Sequence, residues 1–327
     1  MSNRRGASVG DYQAPLFLAW QLTNRCQAAC LTCCEESGPD KTWPDELTAD
    51  EAVSFAHKVV EAGIPYVAFG GGEPLGVSHF WDIAEIFSAG GVELKLETNG
   101  LPITEEKADF LKEIDVQCVQ ISVDGATKET FHKVRPGGDY DGVIASIKRL
   151  VKRGIHPEYV FVPNRLNMHE AGLAYDHAVE LGCRTFVTGP MMRLGRAAQA
   201  WKTLGIAESE WGIVENALGA HEAKHRKAVK LSIYPWDILT EMKKRLAEPQ
   251  AMLLVVPNGK AKLLNALPFA PADIREHSIT EAWVLYQEAW KSDEVKDFIN
   301  QCQTRPELLL HANETWPTGK WAKEITL

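Results

Sequence analysis

The hydrophobic positions of this chain form short apolar runs that alternate, from residue 16 onward, with segments whose apolar residues recur every three to four positions. Short runs rich in β-branched and aromatic residues are typical of buried strands, and the longer periodic segments are typical of amphipathic helices. The first helix carries a capping-box pattern in Thr48 and Glu51, and Ala52, Phe55 and Val59 then supply its apolar stripe. The alternation predicts βα units and a parallel sheet.

Six strand–helix repeats are predicted before residue 199. The predicted strands are residues 16–22, 66–69, 92–97, 118–123, 158–162 and 185–188. The predicted helices between them begin near Thr48 and then cover residues 80–87, 105–112, 140–153 and 168–180. Enzymes with parallel βα barrels carry their chemistry on loops at the C-terminal ends of the strands. Polar and glycine-rich turns after these strands are therefore the candidate site residues.

The remainder of the chain has a different pattern. Residues 199–230 are polar and mostly helical, residues 253–264 read as a hairpin around Asn258 and Gly259, and helices are predicted at 280–290 and 294–300. We divide the chain into an N-terminal tail of residues 1–15, a core of residues 16–198 and a C-terminal extension of residues 199–327. The segment after Pro317 is expected either to lack order or to fold back as a lid.

Composition narrows the class of protein. The chain has 327 residues, of which 45% are hydrophobic and 24% charged, as in soluble globular proteins. A net charge of −9 argues against a nucleic-acid partner, because binding to phosphates requires clustered Lys and Arg. No signal peptide is recognisable, and no apolar run approaches the roughly 18 residues of a membrane helix. We therefore expect a cytoplasmic protein without a membrane partner, whose seven cysteines stay reduced.

Cys26, Cys30 and Cys33 stand in a C-x3-C-x2-C triplet directly after the first predicted strand. Three thiolates on one loop can hold three irons of a [4Fe–4S] cluster and leave the fourth iron open to a ligand. A zinc knuckle and a disulfide framework are the alternatives. Zinc sites usually have a second C-x2-C half or spaced histidines, and disulfides are unusual in a chain without a secretory signal.

The triplet resembles the signature of the radical S-adenosylmethionine (SAM) superfamily, and the resemblance covers about residues 16–200. It implies a partial (β/α)6 TIM-like barrel with one [4Fe–4S] cluster on Cys26, Cys30 and Cys33, with SAM on the open iron. It further implies an electron donor such as flavodoxin or ferredoxin, cleavage of SAM to a 5′-deoxyadenosyl radical, and hydrogen abstraction from a substrate. In one departure, Thr32 occupies a position where the family usually has an aromatic residue.

The turn after the second strand resembles the family's G-G-E-P motif, whose backbone holds the SAM amino group. By this resemblance Gly71, Gly72, Glu73 and Pro74 are cofactor-binding residues, with Glu73 as a helper to that amine. Glycines let a backbone approach a ligand closely, although a plain tight turn uses them in the same way. The alternative for Glu73 is an ordinary charge at a helix N-terminus.

Five further positions at strand ends resemble SAM-contacting positions of the family. Thr98 and Asn99 belong to a T-N-G turn, Ser122 is implied to contact the ribose, Arg135 the SAM carboxylate, and Asn164 also lies near SAM. A guanidinium suits a carboxylate because it makes two parallel charge-assisted bonds. The alternatives are ordinary turn roles for the threonine and asparagines and a surface salt bridge for the arginine.

Other polar residues are less specific. Arg193 and Arg196, after the sixth strand, have three possible partners: SAM, an anionic substrate or carboxylates of the protein itself. His221 and His225 share one helix face, as a metal pair would, but no carboxylate motif accompanies them. We interpret that face as solvated.

The extension resembles the SPASM or twitch domain, in which cysteines hold auxiliary [4Fe–4S] clusters. Here Leu264 occupies one expected cysteine position, and Cys302 is the only cysteine after residue 198. The resemblance therefore implies a scaffold that has lost its auxiliary clusters, which favours a redox-neutral outcome such as elimination, decarboxylation or epimerisation. Cys302 is a speculative catalytic hydrogen donor, with a simple packing cysteine as the alternative.

For the function we predict a radical SAM enzyme that acts on a small polar molecule, such as a sugar or nucleoside intermediate, in natural-product biosynthesis. The basis is that only about 15 residues precede the first strand, too few for a peptide-leader-binding domain. The alternative is a maturase of a ribosomally made peptide, since such a domain can be a separate protein. A lesser alternative is a non-catalytic partner protein that binds an iron–sulfur cluster or SAM.

Overall fold

A computed structural model describes residues 9–317 of the chain, which form one ten-stranded sheet with helices. The predicted lid after Pro317 and the first eight residues of the predicted tail lie outside the described residues. The strands are β1 Phe17–Thr23, β2 Tyr66–Gly71, β3 Glu93–Thr98, β4 Cys118–Ser122, β5 Glu158–Phe161, β6 Thr185–Thr188, β7 Lys230–Ile233, β8 Met252–Val255, β9 Lys260–Lys262 and β10 Ala272–Asp273.

Helices connect the strands and cover one face of the sheet. The α-helices are α1 Ala49–Glu61, α2 Phe80–Ala89, α3 Glu105–Glu113, α4 Lys128–Val134, α5 Tyr140–Lys152, α6 Ala171–Glu180, α7 Gly195–Gln199, α8 Trp201–Leu204, α9 Glu208–Lys224, α10 Ile238–Ala247, α11 Ile279–Ala289 and α12 Asp293–Cys302. Short 3₁₀ helices lie at Val9–Asp11, Pro74–Gly76, Met168–Glu170 and Pro306–His311. The predicted capping box of α1 is present, since the Thr48 side chain accepts from the Glu51 N–H and Glu51 bonds back to Thr48.

The six predicted strands lie side by side in chain order. The order across the sheet is β10-β9-β8-β1-β2-β3-β4-β5-β6-β7, and β1 to β6 are parallel throughout. Parallel neighbours in chain order require a crossover helix after each strand, which the helical segments supply. The turns after these strands therefore meet at one edge of the sheet. That edge carries the predicted cluster ligands and SAM-contacting residues.

The two faces of the parallel sheet differ in polarity. On one face Trp20 packs against Phe69 and against the α1 residue Phe55, with ring centroids 5.8 and 5.0 Å apart. On the other, which we call the inner face, Lys95 is paired in register with Cys118, and Glu97 with Gln120. Parallel strands covered on both faces are usually apolar throughout, whereas the inner face here exposes polar side chains.

The extension continues the sheet on both sides. β7 pairs with β6, and β8 pairs with β1, both in parallel. The predicted hairpin is present as β8 and β9, and Gly259 adopts the positive φ of 78° that its turn requires. The strand β7 was not predicted, because its sequence is polar and lacks a buried face. The helix α10 was not predicted either. The domain boundary at residue 198 stays a prediction.

None of the helices in the described residues has the length and apolar content needed to cross a membrane.

The interpretation of His221 and His225 as a solvated helix face is wrong. Both imidazoles bond to the carboxylate of Asp176 on α6, at 2.7 and 2.8 Å, and the amine of Lys224 bonds to it at 2.7 Å. Gly172 permits this approach, because a Cβ there would lie 2.5 Å from the His221 ring. One carboxylate therefore ties α6 to α9.

Replacing Asp176 by Asn should lower the free energy of unfolding by about 1–3 kcal/mol at pH 7, the cost of breaking hydrogen bonds to a charged group. Partial burial favours the neutral acid, but hydrogen bonds from the amine and the two imidazoles outweigh it and lower the pKa of Asp176 to about 2. Stability from a carboxylate with a lowered pKa is present above its unfolded value and is lost as the pH falls through the folded value.

The difference in free energy of unfolding between the wild type and D176N should therefore shrink as the pH falls from about 4 to about 2. Urea unfolding of the cluster-free chain, followed by circular dichroism, measures it. Asp141→Asn is the matched control, since that carboxylate is 70% exposed and pairs with Lys128 at the surface. A D176N effect no larger than that of D141N would contradict this account of the contact between α6 and α9.

Candidate functional site

The three predicted cluster cysteines lie on a loop that follows β1 and is held by backbone hydrogen bonds. The Cys26 N–H donates to the carbonyl of Gly38 at 3.0 Å, which closes the loop on itself. The Ala29 and Leu31 N–H groups donate to carbonyls of residues 136 and 134, at 2.8 and 2.9 Å. The loop is thus fixed against the end of α4.

Arg196 supplies a second support for this loop. Its side chain donates to two carbonyls, from Nε to Cys30 at 2.8 Å and from a second guanidinium nitrogen to Ser37. Its backbone N–H donates to the carbonyl of Cys33 at 3.0 Å. From the sequence, SAM, an anionic substrate and carboxylates were considered as partners of Arg196. The structure instead places its side chain on two backbone carbonyls, those of Cys30 and Ser37. Arg193 instead lies over the Trp201 ring, 5.5 Å from its centroid.

The electrostatics of the loop fit a cluster. Burial raises the pKa of the Cys30 thiol to about 11, although the Arg135 charge acts to lower it. Burial likewise raises the pKa of Cys33, and the Arg196 charge acts against it. Thiols with raised pKa values become ligands by losing protons to a bound metal, so iron and the two guanidinium groups together would stabilise the thiolates.

Within residues 9–317, no three His, Cys, Asp or Glu side chains converge to hold a single metal ion. A [4Fe–4S] cluster does not need such convergence, because each thiolate binds a different iron.

The glycines after β2 pack against the start of the cysteine loop. Gly71 has a φ of 97°, and a Cβ on Gly72 would lie 2.2 Å from the carbonyl oxygen of Arg25. The Gly72 N–H donates to the Thr23 carbonyl at 2.7 Å, and the Glu73 N–H donates to the Arg25 carbonyl at 2.9 Å. Glycine is therefore required here by the approach of two loops of the protein, whether or not a ligand is bound.

Glu73 joins these loops to the turn after β3. Its carboxylate accepts from the Thr98 hydroxyl at 2.7 Å, the Asn99 N–H at 2.8 Å and the Leu75 N–H at 3.1 Å. The side chain is 1% exposed, so burial raises the pKa of Glu73, and the donated hydrogen bonds act to lower it. Three of the roughly four acceptor sites of the carboxylate are engaged by the protein.

Asn99 completes the connection to the cysteines. Its Nδ2 lies 3.0 Å from Oε1 of Gln27 and 3.5 Å from Sγ of Cys26, and its Oδ1 accepts from the Leu101 N–H at 2.9 Å. The structure therefore brings Glu73, Thr98 and Asn99 together at the cysteine loop. Their contact with SAM stays a prediction.

The surface salt bridge considered for Arg135 is wrong, because its partner is buried with it. Nη1 of Arg135 lies 2.7 Å from Oδ2 of Asp124, and the side chains are 9% and 2% exposed. Burial disfavours the charge of the guanidinium, but the negative charges of the Cys30 thiolate, the Asp124 carboxylate and the Cys26 thiolate outweigh burial and raise the pKa of Arg135. Asp124 also accepts from the Val162 N–H at 2.8 Å, and the cap of α4 is Thr127.

The remaining predicted residues, Ser122, Asn164 and Cys302, differ in how far they are buried. Ser122 ends β4 on the inner face and is half-buried. Asn164 is fully buried, and its amide bonds to the Val162 carbonyl and the Leu166 N–H in its own turn. Cys302 is fully buried in the hydrophobic core. A hydrogen donor must contact the substrate, so the position of Cys302 supports a packing role and not the predicted donation.

The polar residues of the inner face were not among the residues predicted from the sequence. Nζ of Lys95 lies 3.0 Å from Oε1 of Glu97, and the Glu97 side chain is 46% exposed although its strand is internal to the sheet. Gln120 and Ser122 continue this half-exposed surface on β4. The signal was the alternation in β3, where Glu93, Lys95 and Glu97 alternate with leucines or other buried residues. Strict alternation of apolar and polar residues indicates a strand with one solvent-exposed face.

Comparisons with known proteins show what this chain is similar to. Residues 20–169 match the Radical SAM superfamily. The mycofactocin maturase MftC of Mycolicibacterium smegmatis is 34% identical over 195 residues, covering 58% of this chain and 48% of MftC. The AdoMet-dependent heme synthase of Methanosarcina barkeri is 30% identical over 189 residues, covering 57% of this chain and 54% of that protein. The chain thus spans about half the length of the curated relatives it matches.

A solved structure shares the fold. Streptococcus suis SuiB bound to the precursor peptide SuiA superimposes with a TM-score of 0.70 and 12% identity, over 84% of this chain and 66% of the SuiB chain. Identity this low shows likeness of fold alone. Together with the family match, it confirms the predicted α/β class and the resemblance to radical SAM proteins.

Glu73→Gln should lower the free energy of unfolding of the cluster-free chain by about 1–3 kcal/mol, because the amide group of Gln must face a backbone donor and leaves it unsatisfied. Urea unfolding at neutral pH measures the loss. Glu97→Gln is the matched control, and its half-exposed side chain should change stability by less than about 0.5 kcal/mol. Equal effects of the two substitutions would contradict the role of Glu73 as the link between the loops.

Proposed function

We propose that this chain is a radical SAM enzyme that binds one [4Fe–4S] cluster and SAM and modifies a peptide. The observation that carries the proposal is the network in which Glu73 and Asn99 join the glycine turn and the T-N-G turn to the cysteine loop. When bound and reduced, the cluster supplies the electron that cleaves SAM to methionine and a hydrogen-abstracting 5′-deoxyadenosyl radical. The protein supplies binding and orientation.

Residues of this chain have distinct proposed roles. Cys26, Cys30 and Cys33 would each hold one iron. The edge formed by Gly71–Pro74 and the T-N-G turn with Thr98 and Asn99 would border SAM. An external donor such as flavodoxin or ferredoxin would deliver the electron, and a reducing cytoplasm would keep the thiols available.

Two of the four remaining predicted residues are retained as SAM contacts. Ser122 faces the inner side of the sheet, and Arg135 lies close enough to Cys26 and Cys30 for their charges to raise its pKa. Asn164 is not retained, because it is fully buried and its amide is engaged in its own turn. The hydrogen-donor role of Cys302 is not retained either, because that residue lies in the hydrophobic core.

Peptide modification is preferred over the small polar substrate that the sequence analysis placed first. MftC carries the name of a maturase and is 34% identical to this chain over the aligned residues. SuiB shows that a fold of this kind accommodates a precursor peptide. The β8–β9 hairpin beside β1 supports assignment to a SPASM-like branch, and the single cysteine after residue 198 supports a redox-neutral outcome.

A small polar substrate in specialised metabolism is the second candidate. Lys95, Glu97 and Gln120 on the inner face offer charged and hydrogen-bonding groups that such a molecule could contact. The heme synthase relative shows that proteins of comparable identity also include an enzyme named for a product other than a peptide.

Anaerobic reconstitution should load about four irons per chain, and reductant plus SAM should then yield 5′-deoxyadenosine. Cys26→Ala should abolish both results, because a thiolate ligand is removed. Cys34→Ala is the matched control and should retain both, since the x2 spacing selects Cys33. Eight or more irons per chain would contradict the single-cluster proposal, and loss of iron in C34A would contradict the ligand assignment.

Substrate class should be decided by which compounds raise 5′-deoxyadenosine formation above the substrate-free rate. We expect a pool of synthetic peptides that includes SuiA to do so, with a mass change in at least one peptide. Sugars and nucleosides form the comparison pool, and stimulation by that pool alone would favour the second candidate. Iron loading and SAM binding without cleavage in any pool would instead support a non-catalytic partner protein.

A further inference from the structure

The C-terminal extension reaches back to the cysteine loop. Nδ2 of Asn313 donates to the carbonyl oxygen of Cys34 at 2.9 Å and lies 3.4 Å from Oε2 of Glu36. Asn313 and Cys34 are 279 positions apart in the chain. Cys34 directly follows Cys33, so this contact fixes the backbone beside a proposed iron ligand.

The segment that carries Asn313 is itself anchored to the extension. The amine of Lys262, on β9, donates to the carbonyl of Ala312. The Trp316 N–H donates to the Pro268 carbonyl at 2.6 Å, and the Ala270 N–H donates to the Trp316 carbonyl at 2.7 Å. We call residues 312–316 the clasp, since both of its ends are attached to the extension and its middle reaches the cysteine loop.

Lys262 shows that the clasp covers a charged group. The side chain is 2% exposed, and burial lowers the pKa of its amine to about 8, although the carboxylates of Glu35 and Glu314 act to raise it. A buried amine that loses its acceptor leaves a polar group unsatisfied at a cost of about 1–3 kcal/mol. The Ala312 carbonyl therefore makes detachment of the clasp unfavourable.

The clasp and the hairpin approach the same loop from connected elements. β9 pairs with β8, β8 pairs with β1, and the cysteine loop begins where β1 ends. A displacement of the hairpin would be transmitted both through the sheet and through Asn313. The extension therefore contributes to the site through backbone support, with Cys302 as its only cysteine.

We propose that Asn313 is a positioning residue for the cluster, and that the clasp holds the Cys33–Cys34 backbone in the conformation that binds iron. The inference rests on the proposed function for the identity of the metal group. The restraint on the loop is a property of the protein chain and can be measured without the cluster. It gives the extension a role that requires no auxiliary cluster.

Hydrogen exchange of the cluster-free full chain provides the direct test. Asn313→Leu removes the amide at nearly constant size, and the amides of residues 26–38 should exchange about fivefold faster, the factor that corresponds to one hydrogen bond. Asn265→Leu is the matched control, because the nearest partner of that amide is the sulfur of Met192, at 3.5 Å. Unchanged exchange in N313L would overturn the proposal.

Iron release from the loaded chain to a chelator tests the consequence for the cluster. N313L should release iron about fivefold faster than the wild type, Asn313→Gln should restore part of the difference, and N265L should match the wild type. If N313L lowers the melting temperature of the whole chain, Lys262→Met tests the clasp from its other end, and faster exchange at residues 26–38 is again expected.

The double variant separates a shared effect from two local ones. Because K262M and N313L would release the same segment, their combined effect on exchange should be smaller than the product of the single effects. Independent effects, or acceleration in K262M confined to residues near β9, would overturn the clasp. A wild-type chain that binds iron but never cleaves SAM would contradict the proposed function and leave the exchange result intact.

Discussion

The site depends on one buried carboxylate. Glu73 receives hydrogen bonds from its own turn and from the turn after β3, and those turns bracket the start of the cysteine loop. A carboxyl group with 1% exposure is stable only if hydrogen-bond partners replace its lost hydration. The geometry of three loops is thereby coupled to one electrostatic requirement. Removing a donor would leave a buried acceptor unsatisfied, which is more costly than losing a surface contact.

Charge around the thiols follows the same logic. Arg135 is held by Asp124, and Arg196 is held by carbonyls of the loop itself, so both guanidinium groups have fixed positions before any cluster binds. Preorganised charge lowers the reorganisation needed when a charged group forms. The thiols are otherwise in surroundings that disfavour their ionised form. The loop therefore favours thiolates that bind a cluster over thiolates that have no metal partner.

The sequence predicts those features whose signals are local. The βα order follows from the hydrophobic period. The placement of the glycine turn and the T-N-G turn at one edge of the sheet follows from the rule that the ends of parallel strands share that edge. The roles of Arg196 and Asn313 could not be predicted, because their partners are backbone carbonyls 166 and 279 positions away, which carry no sequence pattern. Asp176 was missed for a related reason, since its partners lie on another helix. Lys95 and Glu97 differ, because their alternation was visible and only its meaning was overlooked.

The inner face offers hydrogen-bonding groups that a substrate could contact. A peptide backbone presents alternating N–H donors and C=O acceptors, and the Lys95–Glu97 pair offers one donor and one acceptor side by side. Hydroxyl-rich small molecules present the same two kinds of group, so the polarity of this face alone does not select between them. Selection must come from other properties of the substrate, such as its length. The clasp reaches the cysteine loop from the side of β9, so the extension supports the edge of the sheet at which a substrate would meet the proposed cluster.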